Sequence, residues 1–326
     1  MGTALKRSIL SFALFLISSI FSSGLTYAAS QSLKEVRVAS STAVSFTNLS
    51  TFYARDRRFF EKEGLDVKII VVQTSAALAA LVTGNVDYTT LSTSAIEAAL
   101  RGMPVRLVAV TSQQPVWGLV VRKEIAKVTD LKGKKLAVSS YGGASYAAVL
   151  YILKHYGLNP KEVTILATGD TIARIAALQN EAVDAAIIPA PGDMKARALG
   201  DFRLLLDVGT VYKLPMGGIS ASLAKVRENP TEVKKVVRAV VGATKFIVDS
   251  RNKDEVLNYL ATGFKLDKNS VEELYRRIIP SLSPSGMVDG DKIKLVIDSA
   301  LERGLTDKPV DPDAVVDFSL ARDLGF

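Results

Sequence analysis

Residues 138–149 read VSSYGGASYAAV and place Ser139, Ser140, Tyr141, Gly142, Gly143 and Ser145 between an apolar run and a helix-like run. A glycine-rich turn entering a helix can hold an anion or a polar solute. The first turn of a helix leaves its backbone N–H groups without partners, and the helix dipole favours negative charge there. Loops of similar chemistry recur: SSTAVSFTN at 40–48, QTS at 73–75, STS at 92–94, TGD at 168–170 and PAP at 189–191. Most are rich in hydroxyls and poor in charge. Ser and Thr also cap helices with no ligand present, so any one loop fits either role. Several such loops facing one crevice favour a ligand. The turn at 138–149 lacks the Lys of GxxxxGK[ST], and GxGxxG is absent, which excludes a nucleotide-phosphate loop.

Residues able to do covalent or metal chemistry are scarce. The chain has no Cys and one His, His155, late in a helical stretch just before Gly157. A cation there is structurally ordinary. A Ser-His-Asp triad would have to use that His, and neither GxSxG nor HExxH occurs. No catalytic residue, metal ligand or cofactor is therefore expected. Asp87 and Asp184 occupy matching places before strands, where turn or capping roles are expected, and Asp170 reads as an N-cap. Phe46, Trp117 and Tyr141 are candidate aromatic walls of a cleft, with plain packing as the alternative.

The elements that position these loops alternate. Strands are expected at 35–40, 65–72, 86–91 and 105–110, with helices between them, one of them running to about Glu63. Gly64 suits the left-handed cap that ends that helix. Strands at 134–140, 158–167 and 183–189 then repeat the order, with helices at 141–157 and 168–182. KEGLDVKII (62–70) is similar to HYGLNPKEVTIL (155–166), and ALVTGNVDYTT (80–90) to ALQNEAVDAAI (177–187). Two copies of a β-α-β-α-β unit imply two lobes, each a parallel-rich sheet flanked by helices, an α/β architecture. In such sheets ligands bind beyond the carboxyl ends of the strands. The stretches at 112–120 and 212–219, both with Pro and Gly, read as crossovers. The last hundred residues are expected to be mostly helical, at 229–247, 253–263, 269–279 and 290–304.

The 326 residues carry a net charge of +8, and 48% of them are hydrophobic. The charge is scattered, so no nucleic-acid surface is expected. Lys6 and Arg7, the apolar run 8–21 and TYA before Ala28 read as a cleavable export signal. Without a Cys at the cleavage point no lipid attachment is expected, which leaves a free protein in an exported compartment, most simply the periplasm.

FFEKEGLDVKII, ALVTGNVDYTTLSTSAIEAALRGMPVRLVA, DLKGKKLAVSS, AALQNEAVDAAII and ENPTEVKKVVRAV, in that order over roughly 33–250, resemble the solute-binding proteins of ABC importers, in the nitrate, sulfonate, taurine and thiamine-precursor-like group. The resemblance implies a type II periplasmic binding fold with a ligand cleft between two lobes. With the export segment and crossovers placed as above, residues 1–28 are expected to be the export signal, 29–118 a first lobe, 119–213 a second, and 214–326 a return with C-terminal helices. The resemblance places the ligand at Thr42, Phe46, Thr74, Ser75, Ser92, Thr93, Ser139, Ser140, Tyr141, Gly142, Gly143, Ser145 and Pro189, to which the expected crossover adds Trp117. Where many members put an aromatic and an acidic residue before Pro, this chain has IIPAP, which weakens the case for an amine-bearing solute such as taurine. The implied role is a monomeric receptor for a small organic solute, anionic or aromatic, that delivers it to an ABC permease at the inner membrane. Two alternatives remain: an exported enzyme on the same fold, or a solute-sensing module for a membrane sensor. The thiamine-pyrimidine enzyme branch relies on Cys-rich and His-bearing motifs that this chain lacks.

Overall fold

The structure is a computed structural model that describes residues 32–41, 46–141 and 143–325. The expected export segment lies outside the described residues. The elements run β1 (Lys34–Ser40), α1 (Leu49–Asp56), α2 (Phe59–Lys62), β2 (Leu65–Val71), α3 (Thr74–Val82), β3 (Tyr88–Leu91), α4 (Thr93–Leu100), β4 (Val105–Ser112), β5 (Trp117–Arg122), β6 (Lys135–Val138), α5 (Ala144–His155), β7 (Thr164–Ala167), α6 (Thr171–Gln179), β8 (Ala185–Pro189), α7 (Gly192–Ala198), β9 (Phe202–Asp207), β10 (Gly217–Ser222), α8 (Leu223–Glu228), α9 (Pro230–Val248), α10 (Lys253–Phe264), α11 (Lys268–Ile278), α12 (Gly290–Glu302) and α13 (Ser319–Arg322). Among the described residues no helix is long and apolar enough to cross a membrane.

The strands form two five-stranded sheets, ordered β2-β1-β3-β10-β4 and β7-β6-β8-β5-β9. Each is parallel-rich, as expected, but mixed. β1 runs parallel to β2 and β3, whereas β10 runs antiparallel to β3 and β4. β6 runs parallel to β7 and β8, whereas β5 runs antiparallel to β8 and β9. In each sheet the reversed strand is the one by which the chain enters from the other sheet. The connections are shorter than the sequence suggests. β4 extends to Ser112 and β5 begins at Trp117, so Trp117 is a strand residue paired with Pro189. β10 begins at Gly217, inside the second expected crossover.

The repeat is visible in hydrogen bonds. Asp87 Oδ2 accepts from Arg37 N at 2.8 Å, and Asp87 N donates to Arg37 O at 2.9 Å. Asp184 Oδ2 accepts from Lys135 N at 2.8 Å, and Asp184 N donates to Lys135 O at 2.8 Å. Each aspartate thus ties the start of one strand to its parallel neighbour, the turn role expected of them.

Local sequence accounts for several helix ends. Gly64 has φ 78° and Gly157 φ 73°, left-handed values that ordinary residues avoid. Asp170 caps α6 by accepting from Ala173 N. The single helix expected up to Glu63 is instead two, because Arg58 turns to φ 60° between α1 and α2. The long α9 buries Val233, Val236, Val237, Val240, Val241, Thr244 and Ile247, one stripe of a 3.6-residue period. That stripe shares a core with Val36 and Val38 of β1, Tyr53 of α1 and Ile219 of β10. A second core joins Leu119, Leu136, Ile152 and Ile187 to Val296 and Ile297 of α12, which packs α12 with the second sheet.

Candidate functional site

A cavity of about 320 Å³ lies at the carboxyl ends of β1 and β3 and the entries of α1, α3, α4 and α5. Its polar wall includes Thr47 and Asn48 before α1, Thr74 at the start of α3, and Thr90, Ser92 and Thr93 at the β3–α4 turn. Gly143 and Ala144 contribute the first turn of α5 from the second sheet's side. Tyr212, Leu214, Met216 and Leu295 supply an apolar wall.

The helix entries at this cavity are open. The N-cap positions of α1, α3, α4 and α5 are Asn48, Gln73, Ser92 and Gly143, and none makes a side-chain capping bond. At α6, away from the cavity wall, Asp170 does cap. First-turn N–H groups without a side-chain partner favour an acceptor or anionic group placed against them.

Several side-chain atoms at the wall also lack partners. Asn48 Oδ1, Thr90 Oγ1 and Ser92 Oγ are buried with no hydrogen bond. Asn48 is 5% exposed, Thr90 1% and Ser92 1%. Asn48 Nδ2 donates to Ser40 Oγ at 3.3 Å, which leaves Oδ1 as the acceptor. An unpaired buried polar atom costs about 1–3 kcal/mol. A solute with donors and acceptors of its own would remove that cost. Thr93 Oγ1 donates to Pro215 O at 2.5 Å, so towards the cavity it can only accept.

At the far end of the wall, Arg303 Nη2 donates to Glu97 Oε1. The cavity's charged side chains therefore compensate each other. Burial pushes the neighbouring Tyr212 hydroxyl up to about 12, so it stays a neutral donor across the physiological range. The reversed strand β10 runs flush behind the site. A Cβ on Gly217 would stand 1.7 Å from Thr47 O, and one on Gly218 would stand 2.0 Å from Ala109 O and 2.9 Å from Ser92 Oγ.

Of the residues the sequence points to, the structure brings Thr74, Ser92, Thr93 and Gly143 to this cavity. Thr42 and Gly142 lie outside the described residues. Phe46 is 5% exposed and turns inward, its ring 3.9 Å from that of Phe264, so it packs the core rather than walling the cleft. Ser75 sits exposed beside Thr74 and does not line the cavity. The loop of residues 138–149 partly closes on itself. Ser145 Oγ accepts from Ser139 N at 2.9 Å and lies 2.8 Å from Ser139 Oγ, and Ser140 O accepts from Gly143 N at 3.3 Å. Tyr141 is 64% exposed and donates to Ile165 O, away from the cavity wall. Trp117 and Pro189 face each other as a strand pair, with Trp117 packed on the second core. Sequence reasoning marked Asn48 only as the end of the 40–48 loop and missed Thr90, Tyr212, Gly217, Gly218, Glu97 and Arg303. The MGG of 216–218 was the one visible signal, since adjacent glycines in a strand mark a close backbone approach.

A family profile described as NMT1/THI5 like matches residues 46–253. The chain belongs to the NMT1/THI5-like family. Among curated relatives, the riboflavin-binding protein RibY of Chloroflexus aurantiacus is 27% identical over 220 residues, 65% of this chain and 62% of that protein. A 4-amino-5-hydroxymethyl-2-methylpyrimidine phosphate synthase of Saccharomyces cerevisiae, THI11, is 29% identical over 135 residues, 39% of this chain and 38% of that protein. The matches thus span less than two thirds of these relatives' lengths. Among solved structures, the periplasmic sulfonate-binding protein SsuA of Methylobacillus flagellatus superposes with a TM-score of 0.74 at 20% identity, covering 90% of this chain and 94% of that one. This likeness establishes a periplasmic-binding-protein fold of two sheets flanked by helices. The family match ends at Lys253, before α12, so Leu295, Ser299 and Arg303 of the cavity wall lie outside the matched span.

Proposed function

We propose that this chain is an extracytoplasmic receptor that takes a small organic solute into the cavity between its two sheets and hands it to an ABC-type permease. The observation that carries this reading is the set of buried, unpartnered atoms Asn48 Oδ1, Thr90 Oγ1 and Ser92 Oγ, standing among uncapped helix entries. Such a wall binds and orients a polar molecule, and its one carboxylate, Glu97, is paired with Arg303. The chain holds one His, His155, on α5 outside this cavity. The names of RibY and SsuA, both binding proteins, favour the same role.

In this reading residues 29–118 and 214–326 form one lobe and 119–213 the other, and the lobes close over the solute. Closure follows from tighter binding in the closed form. The ligand residues are Thr74, Ser92, Thr93 and Gly143 from the sequence, with Asn48, Thr90 and Tyr212 added. Residues 1–28 direct export to the periplasm, where the mature protein acts as a monomer.

Native mass spectrometry of the purified protein tests this directly. A non-covalently carried solute is expected, and X-ray scattering should show compaction when that solute is returned to stripped protein. Stripped protein that neither binds nor compacts with any solute in a broad panel would refute the receptor role. The synthase relative keeps an enzyme reading in view. Turnover of a solute that is lost in His155→Ala but survives Ser92→Ala would favour it.

A further inference from the structure

A groove of about 1000 Å³ adjoins the cavity, and the two share Ala147, Tyr212, Leu295, Ser299 and Arg303. One wall is a single face of α5, with Tyr151 one turn and His155 two turns beyond Ala147. The facing wall is α12, through Leu295, Asp298, Ser299 and Glu302.

Flat rings line the way out. Tyr212, which borders both compartments, lies 5.0 Å from the ring of Tyr151. Tyr151 in turn lies 5.9 Å from His155 with 13° between their planes. The groove's charges already have partners. Lys154 Nζ is 3.8 Å from Glu302, Asp298 accepts from Lys294 at 2.8 Å, and Arg303 is held by Glu97. The partnerless polar atoms noted above belong to the inner cavity and none to the groove's wall.

Building on the receptor reading, we propose that the cavity and the α5–α12 groove form one bipartite site for an elongated solute. Its polar, hydrogen-bonding head sits at the helix entries. An uncharged, flat, conjugated extension passes Tyr212 and lies against Tyr151 and His155. A compact inorganic anion would leave the ring-lined compartment unused, and a charged extension would meet side chains that already neutralise one another. Aromatic stacking rewards a flat partner beyond its buried area, by roughly three- to tenfold in affinity for each good contact.

Acetamide, benzamide and biphenyl-4-carboxamide share one donor–acceptor head and differ only in the flat extension. Their binding to the full chain can be followed by ligand-observed NMR and calorimetry. Biphenyl-4-carboxamide is expected to bind at least about tenfold tighter than acetamide, and Tyr151→Ala to collapse that ratio. Tyr151→Leu, which keeps apolar bulk without a ring, serves if Tyr151→Ala does not fold, and should reduce the ratio as well. Equal affinities for the three amides, or a ratio untouched by both variants, would overturn the bipartite site. So would a carried-over solute whose affinity Tyr151→Ala leaves unchanged, although the receptor reading would then stand. Protein that carries no solute and binds none of the panel would bring down the receptor reading and this inference together.

Discussion

Arg277 on α11 donates through Nη1 to Asp193 Oδ2 at 2.5 Å, and Asp193, at the start of α7, is fully buried. Arg277 Nε also donates to Asp207 Oδ2 at 2.8 Å, at the end of β9. A C-terminal helix is thereby bound to the second sheet's elements through a desolvated charge cluster. Burial pushes the Asp193 carboxyl above the usual carboxylate range, although Arg277 opposes the shift. Arg277→Met should cost about 3–5 kcal/mol, because it strands a buried carboxylate without its counter-ion. The pH dependence follows from the sign. A group with a raised folded-state pKa weakens the fold as pH climbs from its unfolded value through its folded one, and protonation removes the penalty. The gap in Tm between wild type and Arg277→Met should therefore narrow at acidic pH. A gap that is constant with pH would show that Asp193 is not the stranded group.

Removing an unpartnered hydroxyl should move stability and affinity in opposite directions. Ser92→Ala deletes a buried oxygen that has no hydrogen bond, so the empty protein should be unchanged or stabilised by about 1 kcal/mol. The same change should weaken the carried-over solute by roughly fivefold, the worth of about one hydrogen bond. Thermal melts of stripped protein and calorimetry with the recovered solute would measure the two effects. Loss of stability without loss of affinity would place Ser92 in the scaffold only.

Glycine substitutions separate close approach from ordinary helix propensity. Gly218→Ala drives a methyl to 2.0 Å from Ala109 O, so β10 must shift. Overpacking of this kind costs about 1–3 kcal/mol, and the displacement of Ser92 should lower affinity too. Gly263→Ala, inside α10 with no atom within 4 Å of the new carbon, should instead stabilise by about 0.5–1 kcal/mol. Chemical denaturation of both variants reads these signs.

The aspartate that anchors the first repeat should make the fold acid-sensitive. Burial alone would raise the Asp87 carboxyl, but Arg37 N–H and the Lys225 ammonium outweigh it and hold the group below its ordinary range. Glu232 is held low in the same way by Lys225, Lys34 and Tyr88. For depressed acids, the stabilisation is complete above the unfolded pKa, about 4, and fades as pH falls through the folded value. Stability should thus decline below about pH 4, and Asp87→Asn should flatten that decline. An unchanged acid limb in Asp87→Asn would assign the sensitivity elsewhere.

Local chemistry made much of this fold legible. The repeated β-α order, the turn aspartates 87 and 184, the glycine that ends α2 and the cap at Asp170 all act within a few residues or through periodic burial. The same locality identified Thr74, Ser92, Thr93 and Gly143, because helix entries after strands are recognisable in a single stretch of chain. The loop of 138–149 shows where that stops. Its serines could face a solute or each other, and Ser139 and Ser145 were taken by each other. Phe46 likewise had two roles open to it, cleft wall or packing, and Phe264, far along the chain, is what it packs against.

The sequence by itself determined the strand–helix order within each repeated unit, the two-fold repetition and the absence of a thiol or a second histidine, since these depend on residue types and short-range periodicity, but it left β5, β9 and β10 unread. Only the tertiary structure decided which strand is reversed in each sheet, why Gly217 and Gly218 must be glycine, and that Arg303 of the C-terminal region meets Glu97 at the cavity. Those relationships join residues far apart in sequence. They are fixed by how sheets and helices pack, and no local pattern encodes which distant side chain will fill a given space.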